Sequence, residues 1–280
     1  MHIKRQKISP KSQLTIRPNN RKPKNNKLSN PKLRQKKIIF SPNAKYSYAK
    51  KHQLRRVKVK KTSYDSYRYK PLSEWKGLLK GHPVFILGNG PSIADQPLSL
   101  LDPYFSIGIN RIFYLYSPTM LFWQDRELWR TNQVDILRCS AIRICRDITD
   151  VRGMFMNYKL SHNPFRFKNQ TDRFYGRGNT GGLVVQLAVA LKCSAVVLLG
   201  TDCKYASDGK TDFYGINKDH KDYTLRMCDE TSEWLDKKCP VPLYNCSDNK
   251  TWPQISLKDA IKKLDPPKKN KQYFKKLFLK

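Results

Sequence analysis

The chain has 280 residues, enough for one large domain with extensions or for two small domains. Lys and Arg number 55 against 22 Asp and Glu, a net charge of +33 that draws polyanions. Seven cysteines, odd in number, scattered and without a C-x-x-C pair, argue against a disulfide framework or a zinc site; His82, His162 and His220 are the only histidines beyond residue 61, and no apolar stretch reaches the length of a membrane-spanning helix.

Charge is concentrated at the start. Residues 1–61 hold 21 Lys and Arg and no Asp or Glu, with Ile38, Ile39 and Phe40 as the only compact apolar cluster. So little apolar surface cannot order the segment, and residues 1–65 are expected to form a basic, disordered arm. Such an arm binds nucleic acid by releasing condensed counterions, and Tyr46, Tyr48, Tyr64, Tyr67 and Tyr69 suit stacking on bases or packing on the domain. An anionic membrane surface, a solvated arm and a targeting peptide are the other readings of residues 1–61. A ratio of 15 Lys to 6 Arg runs against an organellar transit peptide, and the first thirty residues lack a secretory apolar core, so an intracellular, cytoplasmic protein is expected, in the host cytoplasm if the source is viral.

The elements then follow in order. Residues 72–79 read as a short amphipathic helix, and Gly81-His82-Pro83 turns the chain into an apolar strand at 84–87. Gly88-Asn89-Gly90-Pro91-Ser92 reads as a turn entering a helix, with Pro91 in its first turn and Ser92 as its cap. That arrangement aims backbone N–H groups at one point and suits a phosphate, although any tight strand-to-helix turn shares the pattern. Further strands are expected at 105–109, 119–123, 141–145, 195–199 and 241–245; the first, second and fourth of these lead into polar residues, namely Asn110, Gln124-Asp125 and Asp202. Residues 151–177 and 203–222 read as long loops, and Trp123 and Trp129 as packing between sheet and helix.

Gly176-Arg177-Gly178-Asn179-Thr180-Gly181-Gly182 leads into an all-round apolar helix over 183–191, a buried one. Residues 223–237 form another helix, and Ser256 caps a short one to Leu264. From Pro266 onward the chain is basic again, with Tyr273, Phe274, Leu277 and Phe278 interleaved; membrane, nucleic acid and its own domain are the three surfaces it could cover. Strands separated by helices describe an α/β fold with a mostly parallel sheet, in which an acidic residue at a strand's carboxyl end sits where such sheets bind ligands.

Ile86-Leu87-Gly88-Asn89-Gly90-Pro91-Ser92, Gly108-Ile109-Asn110, Gly178-Asn179-Thr180-Gly181-Gly182 and Leu199-Gly200-Thr201-Asp202, in that order, resemble bacterial sialyltransferases of the Campylobacter type. They resemble equally a wider Rossmann-like group that includes motility-associated glycosyltransferases and hydroxymethylpterin pyrophosphokinase-like proteins. The resemblance covers about residues 82–260. It implies a Rossmann-like domain, which the element pattern bounds, as a single domain, at about 70–264; the basic, disordered extensions expected at 1–65 and 265–280 flank it, and the long arm is a departure from ordinary members of that group. The resemblance also implies a nucleotide-sugar donor, CMP- or UDP-linked, held by Gly88, Asn89, Gly90, Ser92, Asn110, Asn179, Thr180 and Asp202. In the stretch matching that group's catalytic tyrosines and histidine lie Tyr205, Tyr214 and His220. Gln124, Asp125, Arg177 and Lys204 are further ligand contacts by position.

The chemistry is coherent without a resident cofactor: a histidine accepts the proton of an attacking hydroxyl, and tyrosine, Lys204, Arg177 or helix N–H groups stabilise the leaving phosphate. Magnesium held by Asp202 and Asp125 is the alternative, and Asp202 as a plain helix cap the bland one. The leading expectation is therefore a nucleotide-sugar-dependent glycosyltransferase whose basic arm brings it to a polyanionic acceptor, as a bacteriophage enzyme decorating modified DNA bases would. A cell-envelope glycan acceptor is the second reading. A nucleic-acid-binding or ribonucleoprotein component with a non-catalytic scaffold is the third.

Overall fold

Eight short strands, every neighbouring pair parallel, make one sheet in the order β6-β5-β4-β3-β2-β1-β7-β8. They are β1 (Val84–Leu87), β2 (Ser106–Ile109), β3 (Met120–Trp123), β4 (Ile142–Arg146), β5 (Met156–Ser161), β6 (Arg173–Tyr175), β7 (Val196–Leu199) and β8 (Leu243–Asn245). The helices are α1 (Asp65–Arg68), α2 (Arg126–Arg138), α3 (Thr180–Ala190), α4 (Asp222–Lys238), α5 (Leu257–Leu264) and α6 (Lys271–Phe278). This computed structural model describes residues 60–150, 152–176, 179–216 and 222–280, and the reading of the basic arm lies almost wholly outside them. The architecture is the expected α/β, Rossmann-like one, its sheet entirely parallel. No helix among the described residues is long and apolar enough to cross a membrane.

Apolar runs on both sides of the inner strands give two cores, as a sheet covered on both faces requires. On one face Ile86, Ile107, Phe122, Ile144 and Tyr158 pack under α3, α6 and Leu235 of α4. On the other, Phe85, Leu121, Trp123, Val197 and Leu199 pack under α2, α5 and the turns carrying Ile93, Leu101 and Ile112. Helix α3 is buried on nearly every side, as its composition predicts, and its one polar core residue is satisfied: Gln186 accepts from Tyr175 N–H at 2.9 Å and donates to Tyr175 C=O at 2.6 Å. Trp123 and Trp129 both pack edge-on against Phe155, which is the packing role expected of them.

Three local expectations are corrected. The stretch read as a loop over 151–177 contains β5 and β6, where Met156 and Tyr158 are buried and Lys159 is exposed. The segment over 72–79 is a single 3-10 turn, Leu72–Glu74, because the next N–H groups leave the helix: Gly77 and Leu79 donate to Ala190 and Leu191 C=O at the end of α3. No α-helix follows β1. Pro91–Asp95 and Leu98–Leu101 are 3-10 turns separated by Pro97, which disfavours helical backbone at Gln96, and Ser92 caps nothing. Ser256, by contrast, caps α5 by accepting from Asp259 N–H at 3.1 Å.

The described terminal segments close on each other. Lys70 N–H donates to Phe278 C=O at 2.8 Å, Trp75 meets Phe278 edge-on at 4.7 Å, and Phe274 packs on Phe105 at 5.4 Å. The basic C-terminal stretch thus covers its own domain with its aromatic residues. Asp65, 1% exposed, anchors the other side: Oδ2 accepts from Arg143 N–H at 2.8 Å and Nε at 2.9 Å, and Oδ1 from Nη2 at 3.0 Å. Asp65→Ala leaves a guanidinium and an N–H of β4 uncompensated in the interior. The expected loss is about 3–5 kcal/mol in urea denaturation, against less than about 1 kcal/mol for truncation of the exposed Glu127–Arg130 pair.

Candidate functional site

The chain leaves β1 toward β2 and leaves β7 toward β8, so adjacent strands send their connections to opposite sides. In open parallel sheets such a reversal at the carboxyl edge is where the ligand crevice lies. Gly88-Asn89-Gly90-Pro91-Ser92 leaves one wall and Gly200-Thr201-Asp202-Cys203 the other. Their backbones touch: Gly88 N–H donates to Leu199 C=O and Gly90 N–H to Gly200 C=O, both at 2.7 Å. A Cβ on Gly88 would lie 2.2 Å from Gly200 O, and one on Gly90 would lie 2.6 Å from Asp202 Oδ2. Glycine is required at both positions by this approach.

Asp202, 5% exposed, is the hub of the seam. Its carboxylate accepts from Ser92 N–H at 2.9 Å, Ser92 Oγ–H at 2.5 Å and Asp248 N–H at 3.3 Å. Asn89 is equally engaged: Nδ2 donates to Ile109 C=O at 3.0 Å, Oδ1 accepts from Arg111 N–H at 3.2 Å, and its carbonyl accepts from Phe213 N–H at 2.8 Å. The loop after β8 closes the far side, with Ser247 Oγ accepting from Thr201 N–H and Asn249 Nδ2 donating to Thr201 C=O, both at 2.9 Å.

At the end of β2, Asn110 adopts left-handed backbone (φ 51), and its Oδ1 is buried without a hydrogen-bond partner among the described residues. Short polar side chains tolerate that backbone, so asparagine fits the corner. Next to it Arg111 donates to the Tyr214 hydroxyl at 3.2 Å and lies over the same ring at 5.2 Å. Burial first, then the Asp212 carboxylate, pushes the Tyr214 phenol above its ordinary range, against the opposing pull of Arg111. Two strands away from β1, Gln124 donates to Thr180 Oγ1 at 2.6 Å, and Asn179 caps α3 by accepting from Gly182 N–H at 3.1 Å.

Gly88, Asn89, Gly90, Ser92, Asn110, Asp202 and Tyr214 therefore cluster at the crevice, and Gln124, Asn179 and Thr180 at the start of α3. Tyr205 is exposed and donates to Asp222 at 2.9 Å, while Lys204 pairs with Asp248 at 2.8 Å on the surface. His220 and Arg177 lie outside the described residues. Asp202 and Asp125 do not suit a shared magnesium ion. Asp202 faces three protons, and Asp125 ends a strand three positions from β7, about 14 Å at ordinary strand spacing.

Sequence reasoning does not single out Arg111, Asp212, Ser247 or Asn249. A signal exists for Ser247 and Asn249, since they follow β8 as Asp202 follows β7. Cys203, left-handed at φ 57, reads from the sequence only as a buried thiol; it contacts Asn249 Nδ2 at 3.3 Å, and its hydrogen bond with Cys228, with burial, pushes its thiol up. Surface cavities of about 300 Å³ beside Ser117 and Ser140 and about 420 Å³ beside Tyr104 and Lys258 lie at the opposite, amino edge of the sheet.

No protein-family model matches the chain, and no characterised protein matches it by sequence. Among solved structures, the sialyltransferase CstII from Campylobacter jejuni in complex with cytidine-5'-monophosphate is 14% identical, with a TM-score of 0.39, covering 65% of this chain and 84% of that one. CstII in complex with CMP-3FNeuAc is 16% identical, with a TM-score of 0.35, covering 59% and 80%. At that level of similarity the reading of function rests on this chain's own residues.

Gly90→Ala forces a methyl group into the Asp202 carboxylate, and Asp202→Asn turns an amide N–H₂ toward groups that themselves donate. Each substitution is expected to cost about 1–3 kcal/mol in urea denaturation. Because both disturb one contact, the double variant should lose less than the sum.

Proposed function

We propose that the chain is a nucleotide-sugar-dependent glycosyltransferase whose donor nucleotide sits over the carboxyl ends of β1, β2 and β7. The observation that carries the reading is Asn110, whose buried Oδ1 at the end of β2 has no hydrogen-bond donor among the described residues. A buried acceptor left unpaired costs about 1–3 kcal/mol, and a ribose hydroxyl or base amino group would supply the missing donor. Asn89, Ser92 and Asp202 act in this reading through the loop they hold rather than by direct contact. The motif resemblance supplies the donor class, CMP- or UDP-linked.

In the transfer step the acceptor hydroxyl oxygen bonds to the anomeric carbon as the carbon–oxygen bond to the nucleotide phosphate breaks. The bonding pair leaves with the phosphate, and the hydroxyl proton passes to His220 as general base. Tyr214 suits the leaving phosphate: its phenol is a donor at neutral pH that would turn from Asp212 to the phosphate, and Arg111 beside it adds positive charge. Tyr205 belongs to the same loop and, released from Asp222, would be a second donor to that phosphate. Residues 1–61 favour a polyanionic acceptor, DNA in the sharpest form of the reading, since their 21 positive charges are unopposed.

A scaffold without catalysis is the second reading, favoured by one observation: Asn89 and Asp202 spend their hydrogen bonds on their own loops. Calorimetric titration of the full chain with CMP, UDP and their sugar conjugates, with and without magnesium, separates the two. The transferase reading expects saturable binding that Asn110→Ala weakens about tenfold, the worth of one good hydrogen bond. Absence of binding by every nucleotide gives the scaffold reading instead.

The arm has its own test. Deleting residues 1–61 should flatten the dependence of DNA affinity on salt, with the slope falling by about 0.9 for each phosphate that the arm neutralises. An unchanged slope would sink the docking role while leaving the donor site untouched.

A further inference from the structure

Three strands from the nucleotide loop, the carboxyl edge holds a second group of unsatisfied side chains. Tyr158 of β5 is fully buried, its ring stacked on Phe122 at 4.5 Å and tilted against Phe174 at 5.3 Å, yet its hydroxyl has no hydrogen-bond partner among the described residues. Arg146 of β4 is its register partner, so the two side chains leave the same face of the sheet. Arg146 Nε is likewise buried and unpartnered. Its Nη2 lies 3.3 Å from His162 Nε2, and because arginine has only donors, His162 accepts. Gln124, on that face by alternation from Phe122, is occupied by Thr180 in the first turn of α3, which walls the site.

Arg146 Nε can only donate and the Tyr158 hydroxyl can donate as well as accept, so a single acceptor between them would satisfy both. Buried donors are nearly always satisfied, and two neighbouring exceptions on one face point to a group not belonging to the chain. We propose that Arg146 and Tyr158 form an oxyanion subsite that receives a phosphate or carboxylate of the acceptor, with His162 displaced from Arg146 as the anion enters. His162 is exposed and gives access from solvent, and a guanidinium beside a phenol is a charge-assisted cradle for such a group. Asp125 and Asp147, the carboxylates within electrostatic reach of Tyr158, are exposed at the rim, where water and salt screen them. Only the assignment to the acceptor rests on the transferase reading; the anion site itself does not.

The test is calorimetric titration of the full chain with inorganic phosphate and, in parallel, glucuronate, at constant ionic strength. Nonspecific binding to the basic arm is common to all variants, and Tyr158→Phe changes no charge. Tyr158→Phe should weaken phosphate or glucuronate about tenfold, one charge-assisted hydrogen bond. It should also leave unchanged or raise the ligand-free melting temperature, because an unsatisfied hydroxyl is removed. Arg146→Lys should weaken the same anion while keeping the charge. The anion that responds identifies the acceptor group as phosphate or carboxylate. Equal affinity of wild type and both variants for both anions overturns the subsite, as does a lowered ligand-free melting temperature with unchanged affinity, which would mark a buried water as the hydroxyl's partner. Tyr158-dependent anion binding in a chain that binds no nucleotide would support the subsite and end the transferase reading.

Discussion

Everything at the carboxyl edge depends on how closely the turns after β1 and β7 approach. Two N–H···O=C bonds of 2.7 Å between them leave no volume for a side chain, and Asp202 then closes the gap from β7 to Ser92. The contact fixes more than two loops. Asn89, held by this seam, reaches across to Ile109 and Arg111 and so sets the corner after β2, while Phe213 N–H ties down the loop that carries Tyr214. Thr201, on the other wall, engages Ser247 and Asn249 after β8. Four strands are brought into register at their carboxyl ends by side chains short enough to bond backbone.

Such a seam has a chemical consequence. Polar residues that would individually suit a nucleotide are consumed in building the carboxyl edge, and what is left unsatisfied is the residue the network does not use. Asn110 is that residue: the left-handed corner places its Oδ1 where no donor of the described residues arrives. Satisfied groups define the shape of the site here, and the unsatisfied acceptor defines what it lacks.

Much of the sheet is legible in the sequence because its inner strands are continuous apolar runs, and the α3 helix because it is apolar on every side. The strands β5 and β6 are not. Met156, Tyr158 and Leu160 do alternate with Asn157, Lys159 and Ser161, but six residues of period two, set among Arg, Lys and Asn, carry a weak signal, and β6 has only three residues. The turn after β1 is visible in the sequence and its partner is not. Ser92 followed by Ile-Ala-Asp has the composition of a helix cap; only the arrival of Asp202 from 110 residues away makes it a ligand of that carboxylate instead. Long-range capture of a local capping residue leaves no local trace. The aromatic residues of α6 are legible as apolar and the surface they cover is not, since nothing in the sequence pairs Phe278 with Trp75.

The same division between satisfied and unsatisfied groups splits the carboxyl edge into two regions. Among the described residues the end of β2 leaves an acceptor, Asn110 Oδ1, while on the face under α3 the strands β4 and β5 leave groups able to donate, Arg146 Nε and the Tyr158 hydroxyl. In the proposed transferase these opposite deficits would be met by hydroxyl or amino donors at β2 and by an oxyanion at β4 and β5. Two to three strand spacings separate β2 from β4 and β5, about 10–14 Å, a span that in the proposed transferase a nucleotide sugar lying along the edge and an acceptor meeting it there would fill together. On the docking proposal the charge of residues 1–61 would concentrate polyanions without selecting geometry, since an electrostatic field leaves orientation to fixed hydrogen-bonding groups.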